Sequence, residues 1–357
     1  MAIVDKKGGL HGTVAHVVYR TVGDLQVVQS RPRRFKQTLA TRESGVEFGL
    51  GSNTACIIRN VMESAYHSVD RGMGNRLTAT VLKCIRSSKE KFRGERDIHD
   101  GNPSFLKGFQ FNANSPLSEV LEVRPVVSTT PEGKVQIRIP AFDSHRQLHN
   151  APAQCSNYTL RLLATAFHFR SEYSEYLDYH DIEFARGSYL EEQVWTLDKE
   201  LPAGCLVLLS VSLFALNRTR LSTMVVNTPE WSPAEVVEAI QVPQGDQEML
   251  DPDYIGGKNL WKHPEREPYK RTGSPFEKYP LTAYHGKDLF SKIERHREKA
   301  SVQDLDKLNA AREELQKRLQ AEQARGAELP LTSNGLPALP PLKTGRKTFG
   351  GCTQKRE

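Results

Sequence analysis

No two cysteines in the chain stand at CxxC spacing, and the five present (Cys56, Cys84, Cys155, Cys205, Cys352) are odd in number. That speaks against a paired-CxxC zinc or redox site, and for packed thiols in a reducing compartment rather than a disulfide framework. Long apolar runs are lacking as well. The best of them, "CLVLLSVSLFAL", has the length of a buried strand, and the opening "MAIVDKKGGL" has no apolar core of signal-peptide length. These absences point to a cytoplasmic protein with no membrane partner. A large charge excess is missing too: 49 basic residues face 43 acidic ones, so the net charge of +6 permits a polyanionic partner without requiring one. No GxSxG or HExxH sequence occurs. The three glycines of "GGLHG" precede a strand and are followed by no Lys-Ser/Thr, which is the wrong order for a phosphate-binding loop.

What is present divides the chain into segments. "TVAHVVYR" and "LQVVQS" alternate in polarity on either side of "TVGD", the pattern of a β-hairpin. From Ser44 the period becomes helical, with Ala55, Ile58, Val61, Met62 and Ala65 on one face and Ser52 or Asn53 as the expected cap. "GNRLTATVLKCIRSS" predicts a second helix, apolar at Leu77, Val81, Leu82 and Ile85. Residues 1–122 therefore read as a small α+β unit. Between 123 and 243, "KVQIRIP", "NYTLRLLATAFHF", "HDIEFAR", "EQVWTLD", "CLVLLSVSLFALN" and "LSTMVVN" are β-type runs with no helix among them. They predict an antiparallel β-sandwich of immunoglobulin or fibronectin III kind. The fold class is accordingly α+β.

Residues 244–286 are rich in Pro and Gly yet carry Tyr254, Trp261, Tyr269, Phe276 and Tyr279, which predicts an extended arm laid on another surface. Residues 287–326 hold Leu305, Leu308, Leu315 and Leu319 at a/d spacing, with Ser301 and Asp304 as a capping-box variant, and predict an amphipathic interface helix. Residues 327–357 are Pro-rich and basic and read as a disordered tail. The arm carries an expectation of its own. Trp261 and Tyr269 should be buried in an assembly, and changing both to Ala should release the arm while the 1–243 body stays folded.

Candidate chemistry is sparse. Asp97, His99 and Asp100 in "RDIHDGN" lack the spacing of a calcium loop and read as a turn. His145 and His149 stand at i,i+4, so a helix could offer both to zinc, but no third ligand accompanies them. Asp178, His180 and Asp181 read as a polar loop. No catalytic, cofactor or metal residues are assigned, and the chain reads as a non-enzyme. Arg31, Arg33, Arg34 and Lys36 around Phe35 could grip phosphates and stack a base, which makes nucleic-acid binding the alternative function. A protected sheet edge explains the same charges.

The order of a Gly-rich start, a hairpin, "QSRPRR", a helical segment and an immunoglobulin-like β domain resembles a group of uncharacterised bacterial proteins typical of Bacteroidota. The resemblance covers the first two-thirds of the chain in layout and implies architecture without site residues. The leading expectation is a structural assembly or adaptor protein. It would bind neighbouring protein subunits through its arm and helix, as an oligomer or larger assembly such as a phage-like particle or secretion apparatus.

Overall fold

The computed structural model of the chain describes residues 2–6, 8–22, 25–31, 37–67, 69–244 and 278–327. It is a mixed α and β protein built on antiparallel sheets. The N-terminal strands β1 (Ala2–Val4), β2 (Leu10–Val14), β3 (Val17–Val22) and β4 (Leu25–Ser30) pair in chain order as a meander. The run "TVAHVVYR" is thus not one strand. Ala15 takes a left-handed conformation (φ 51°), the chain folds back there, and the His16 carbonyl accepts the Arg31 N–H at 2.6 Å.

Helix α1 (Leu39–Val61) begins earlier than Ser44, capped by Thr38, whose hydroxyl accepts the Thr41 N–H. Ser52 and Asn53, expected to cap it, lie inside it. Three glycines between Gly45 and Gly51 weaken the helical signal, and the last of them is needed for packing. A Cβ on Gly51 would lie 2.6 Å from a Leu82 methyl of α2 (Met73–Arg86). Only a bare Cα admits that side chain.

Short 3-10 turns at Ile98–Asp100 and Pro103–Leu106 and the single-turn helix α3 (Leu117–Val120) lead into the β region. There, β5 (Val126–Thr129), β6 (Val135–Ile139) and β11 (Gln193–Thr196) form a three-stranded sheet in the order β11-β6-β5. Strands β7 (Phe142–Asp143) and β10 (Tyr189–Leu190) pair with each other. The main sheet forms a half-barrel. It contains β8 (Asn157–His168), β9 (Tyr173–Ala185), β12 (Leu206–Arg218), β13 (Thr223–Val225), β14 (Ala234–Gln241) and β15 (Lys278–Pro280). Strand β12 is central, paired with β8 on one side and with β13 and β14 end to end on the other.

Alternation along these strands gives the sheet two apolar faces. Leu160, Leu162, Val207, Leu209 and Val211 meet Ile137, Ile139 and Trp195 of the small sheet in one core. Leu163, Phe167, Leu206, Leu208 and Val236 meet Ile58, Leu77, Val81 and Ile85 of the helices in the other. Arg161 ties the layers on the helical side. It bonds Asp181 through two nitrogens (2.7 and 2.8 Å) and the Ser64 carbonyl at 2.9 Å. Helices α4 (Gly286–Glu298) and α5 (Val302–Ala327) complete the described chain. Among the described residues no helix is long and apolar enough to cross a membrane.

Candidate interaction surfaces

The β3–β4 ladder runs without interruption from the Val17–Ser30 pair to the Val22–Leu25 pair. Strand alternation places Val17, Tyr19 and Val28 on one face and Val18, Val22, Leu25 and Val27 on the other. In an ordinary two-layer sheet one of these faces would be covered. Here no described residue from 3 to 31 is buried, and none belongs to either core. Leu25 is 72% exposed, Ile3 68%, Val4 62% and Val28 57%. At roughly 25 cal/mol per Å2, leaving several such side chains in water forgoes several kcal/mol. A four-stranded sheet with both faces open is marginal alone and reads as a surface awaiting a second layer.

The C-terminal elements attach to their own chain. Strand β15 extends the main sheet beside β9, with Tyr279 opposite Ser174 and its ring 6.1 Å from that of Tyr176. Leu281 and Tyr284 follow into the helical core. Asn53, inside α1, binds the Ala283 carbonyl through Nδ2 (2.9 Å) and accepts the His285 N–H on Oδ1 (2.7 Å). Ile293 of α4 is buried, and Gly94 lies beneath it at a distance where a Cβ would touch its methyl at 3.0 Å. Of the leucines expected to meet another subunit, Leu308 is buried, while Leu305, Leu315 and Leu319 are half-buried. Tyr254, Trp261, Tyr269 and Phe276 lie outside the described residues.

The docking of α4 and α5 also has an ionic part. Glu43 and Glu47 of α1 are shielded from solvent almost completely. Glu43 binds Arg297 at 2.9 Å and Arg93 at 3.3 Å, and Glu47 binds Arg86 and Arg96, each at 3.0 Å. Glu95 joins Arg297 to Arg312 of α5. The guanidiniums beside Glu47 hold its carboxyl below the usual range even though burial opposes this most strongly. No sequence pattern announced the network, because its partners come from four separate stretches of chain.

The polar clusters are engaged by neighbouring groups of the chain. Asp97 caps the 3-10 turn, accepting the His99 N–H, while the Asp100 side chain accepts the Asp97 N–H. Arg170 grips Asp97 at 2.7 and 2.9 Å and Asp100 at 2.5 Å. His99 is committed on both nitrogens. Nε2 accepts the Phe169 N–H at 3.0 Å, so Nδ1 carries the proton and donates to Gln241 Oε1 at 3.1 Å. Burial, the largest influence, pushes its pKa down to about 4. His145 and His149 share no helix; His145 lies in an exposed turn, and His149 pairs with Glu122 at 2.9 Å. Asp178, His180 and Asp181 are in β9 and not in a loop, with Asp178 accepting the Trp195 Nε1–H at 3.0 Å and Asp181 engaged by Arg161. Among the described residues no three His, Cys, Asp or Glu side chains cluster as a metal site would require. Of the basic exit, Arg31 is exposed, and Arg33, Arg34 and Lys36 lie outside the described residues. No protein-family profile, no curated protein and no solved structure matches the chain.

Proposed function

We propose that the protein is a non-enzymatic assembly protein whose N-terminal meander meets a second copy of the chain. The observation that carries this reading is the meander itself: four strands, apolar on both faces, none buried by the described body. The face of Val17, Tyr19 and Val28 continues through Thr21, Gln26 and Ser30 and bears no charge on these two strands, so like faces can meet without repulsion. Four strands at about 4.8 Å spacing and six residues at about 3.3 Å give a face of roughly 400 Å2. Two copies would bury about 800 Å2 together, less than a standard stable interface. A single contact is therefore weak. Two open faces on each copy allow the contact to repeat, which suits an array better than an isolated dimer. The immunoglobulin-like reading of residues 123–243 belongs here too: two antiparallel layers close on Tyr158 and the buried Trp231, although helices cover the other face of the main sheet.

Light scattering on the full chain over a range of concentrations tests the proposal, alongside a Leu25→Lys, Val28→Glu double variant. Mass should rise with concentration in the parent and stay at one chain in the variant, with the same melting temperature for the body. A parent that stays a monomer throughout, or a variant that associates equally, overturns it.

A further inference from the structure

The outer face of α2 bounds two shallow hollows of about 380 and 510 Å3 that meet at Phe105. Their floor is apolar, formed chiefly by Ala79, Leu82, Phe105 and Phe109. Four cations, Arg76, Lys83, Arg86 and Lys107, line them, and no Asp or Glu does. We propose that these hollows form one docking groove for an acidic, apolar-bearing peptide segment of a partner protein.

The charge argument rests on which cations are already answered. Arg76 is paired with Asp70 at 2.6 Å and Lys107 with Glu238 at 2.5 Å. Lys83 has no carboxylate among the described residues; its ammonium lies 4.2 Å from the centre of the Phe105 ring. Arg86 shares Glu47 with Arg96 and opens onto the network behind the groove. There five guanidiniums (Arg86, Arg93, Arg96, Arg297, Arg312) share three carboxylates (Glu43, Glu47, Glu95). Of that network only Arg86 lines the groove, where it shares its carboxylate and Lys83 has none among the described residues. A positive rim of this kind attracts an acidic partner and sets its register.

The floor decides which polyanion fits. Phe105 is 37% exposed, and it stands between the hollows where a partner's apolar side chain would rest on it. Gly108 takes a left-handed conformation (φ 79°), and the space beside its Cα is open, so an extended backbone can pass close to it. A chain alternating acidic and apolar side chains matches both the cationic rim and the apolar floor. A nucleic acid would use the rim and leave most of the floor unmatched, since among the described residues lining it only the ring of Phe105 is exposed enough to stack. The groove is distinct from the meander, and each can be disabled without the other.

Fluorescence anisotropy of a short fluorescein-labelled peptide alternating Glu with Phe and Leu, titrated with the full chain, tests the groove. The same peptide with Lys in place of Glu and a single-stranded oligonucleotide serve as comparison probes. The acidic peptide should bind saturably, and Lys83→Glu should weaken it by about tenfold or more, which is about 1.4 kcal/mol. Phe105→Ala should weaken it several-fold. Both variants should keep the parent's melting temperature, and the Leu25→Lys, Val28→Glu variant should bind like the parent. Absence of saturable binding, equal affinity in the Lys83→Glu and Phe105→Ala variants, or tighter binding of the oligonucleotide at the same residues overturns the proposal.

Discussion

Glu43 shows how much a single side chain can organise. It is 0% exposed and sits between Arg93, from the loop after α2, and Arg297, from α4. Removing one partner of a buried ion pair costs about 3–5 kcal/mol, because the remaining charge stays buried without its partner. In Arg297→Ala the loss should fall toward ~2–3 kcal/mol, since Arg93 stays with the carboxylate. Denaturant unfolding should show that loss, and limited proteolysis should cut the variant first within 286–327. His99 yields a pH prediction. Its folded pKa of about 4 lies below the ordinary value of 6.5, so below that ordinary value the unfolded chain binds the proton more readily than the folded one. Its contribution is complete above about pH 6.5 and is lost as pH falls toward 4, by up to about 3 kcal/mol. His168, also lowered chiefly by burial, acts with the same sign. Urea midpoints should therefore be level from pH 7 to 8 and decline between pH 6.5 and 4. A midpoint unchanged at pH 4.5 would contradict this account.

At the scale of an element, α1 carries two glycines of opposite meaning. Gly45 is exposed, and a Cβ there would meet nothing within 4 Å. Gly45→Ala should stabilise the protein by about 0.5–1 kcal/mol through helix propensity and a less free unfolded chain. Gly51 faces the Leu82 side chain, whose nearest carbons would stand 2.6 and 2.7 Å from the new methyl. Gly51→Ala should cost about 1–3 kcal/mol despite the same propensity gain, because α1 and α2 must separate. Thermal melts of the two variants should move in opposite directions. The main sheet offers a related case: the hydroxyls of Thr165, Ser210 and Ser212 are buried with no hydrogen-bond partner among the described residues. Ser210→Ala should be neutral or slightly stabilising, as it removes a polar group that the fold leaves unsatisfied.

For the whole molecule, the return of the C-terminal elements matters most. Leu281 and Tyr284 are members of the helical core, and Ile293 is buried against Gly94. A chain ending at Gln244 would expose their seats. Tyr284 alone removes about 150–200 Å2 from water, worth roughly 4–5 kcal/mol. The shortened protein should melt well below the full chain and show exposed apolar surface by dye binding, while keeping its far-UV strand signal. Equal melting temperatures would mean that β15 and α4 contribute nothing to the body.

Local rules sufficed wherever a segment's pattern belonged to that segment alone. The long apolar, β-rich runs "NYTLRLLATAFHF" and "CLVLLSVSLFALN" marked β8 and β12, helical spacing at Leu77, Val81 and Ile85 marked α2, and the Asx-rich "RDIHDGN" marked a turn. The absence of a GxSxG, HExxH or paired CxxC motif was likewise plain from the residues alone. What needed the tertiary structure were outcomes set by partners distant in sequence. The start of α1 was obscured by three glycines, and the need for one of them, Gly51, is visible only with Leu82 in place. The leucine stripe could not reveal that α5 lies beside its own chain, because the Glu43–Arg297 and Glu95–Arg312 pairs span more than two hundred residues. The meander's alternation could show that it is a sheet, but alternation says nothing of whether a second layer arrives. That depends on where the rest of the chain packs, and here the cores form elsewhere and no described residue of the first sheet from 3 to 31 is buried.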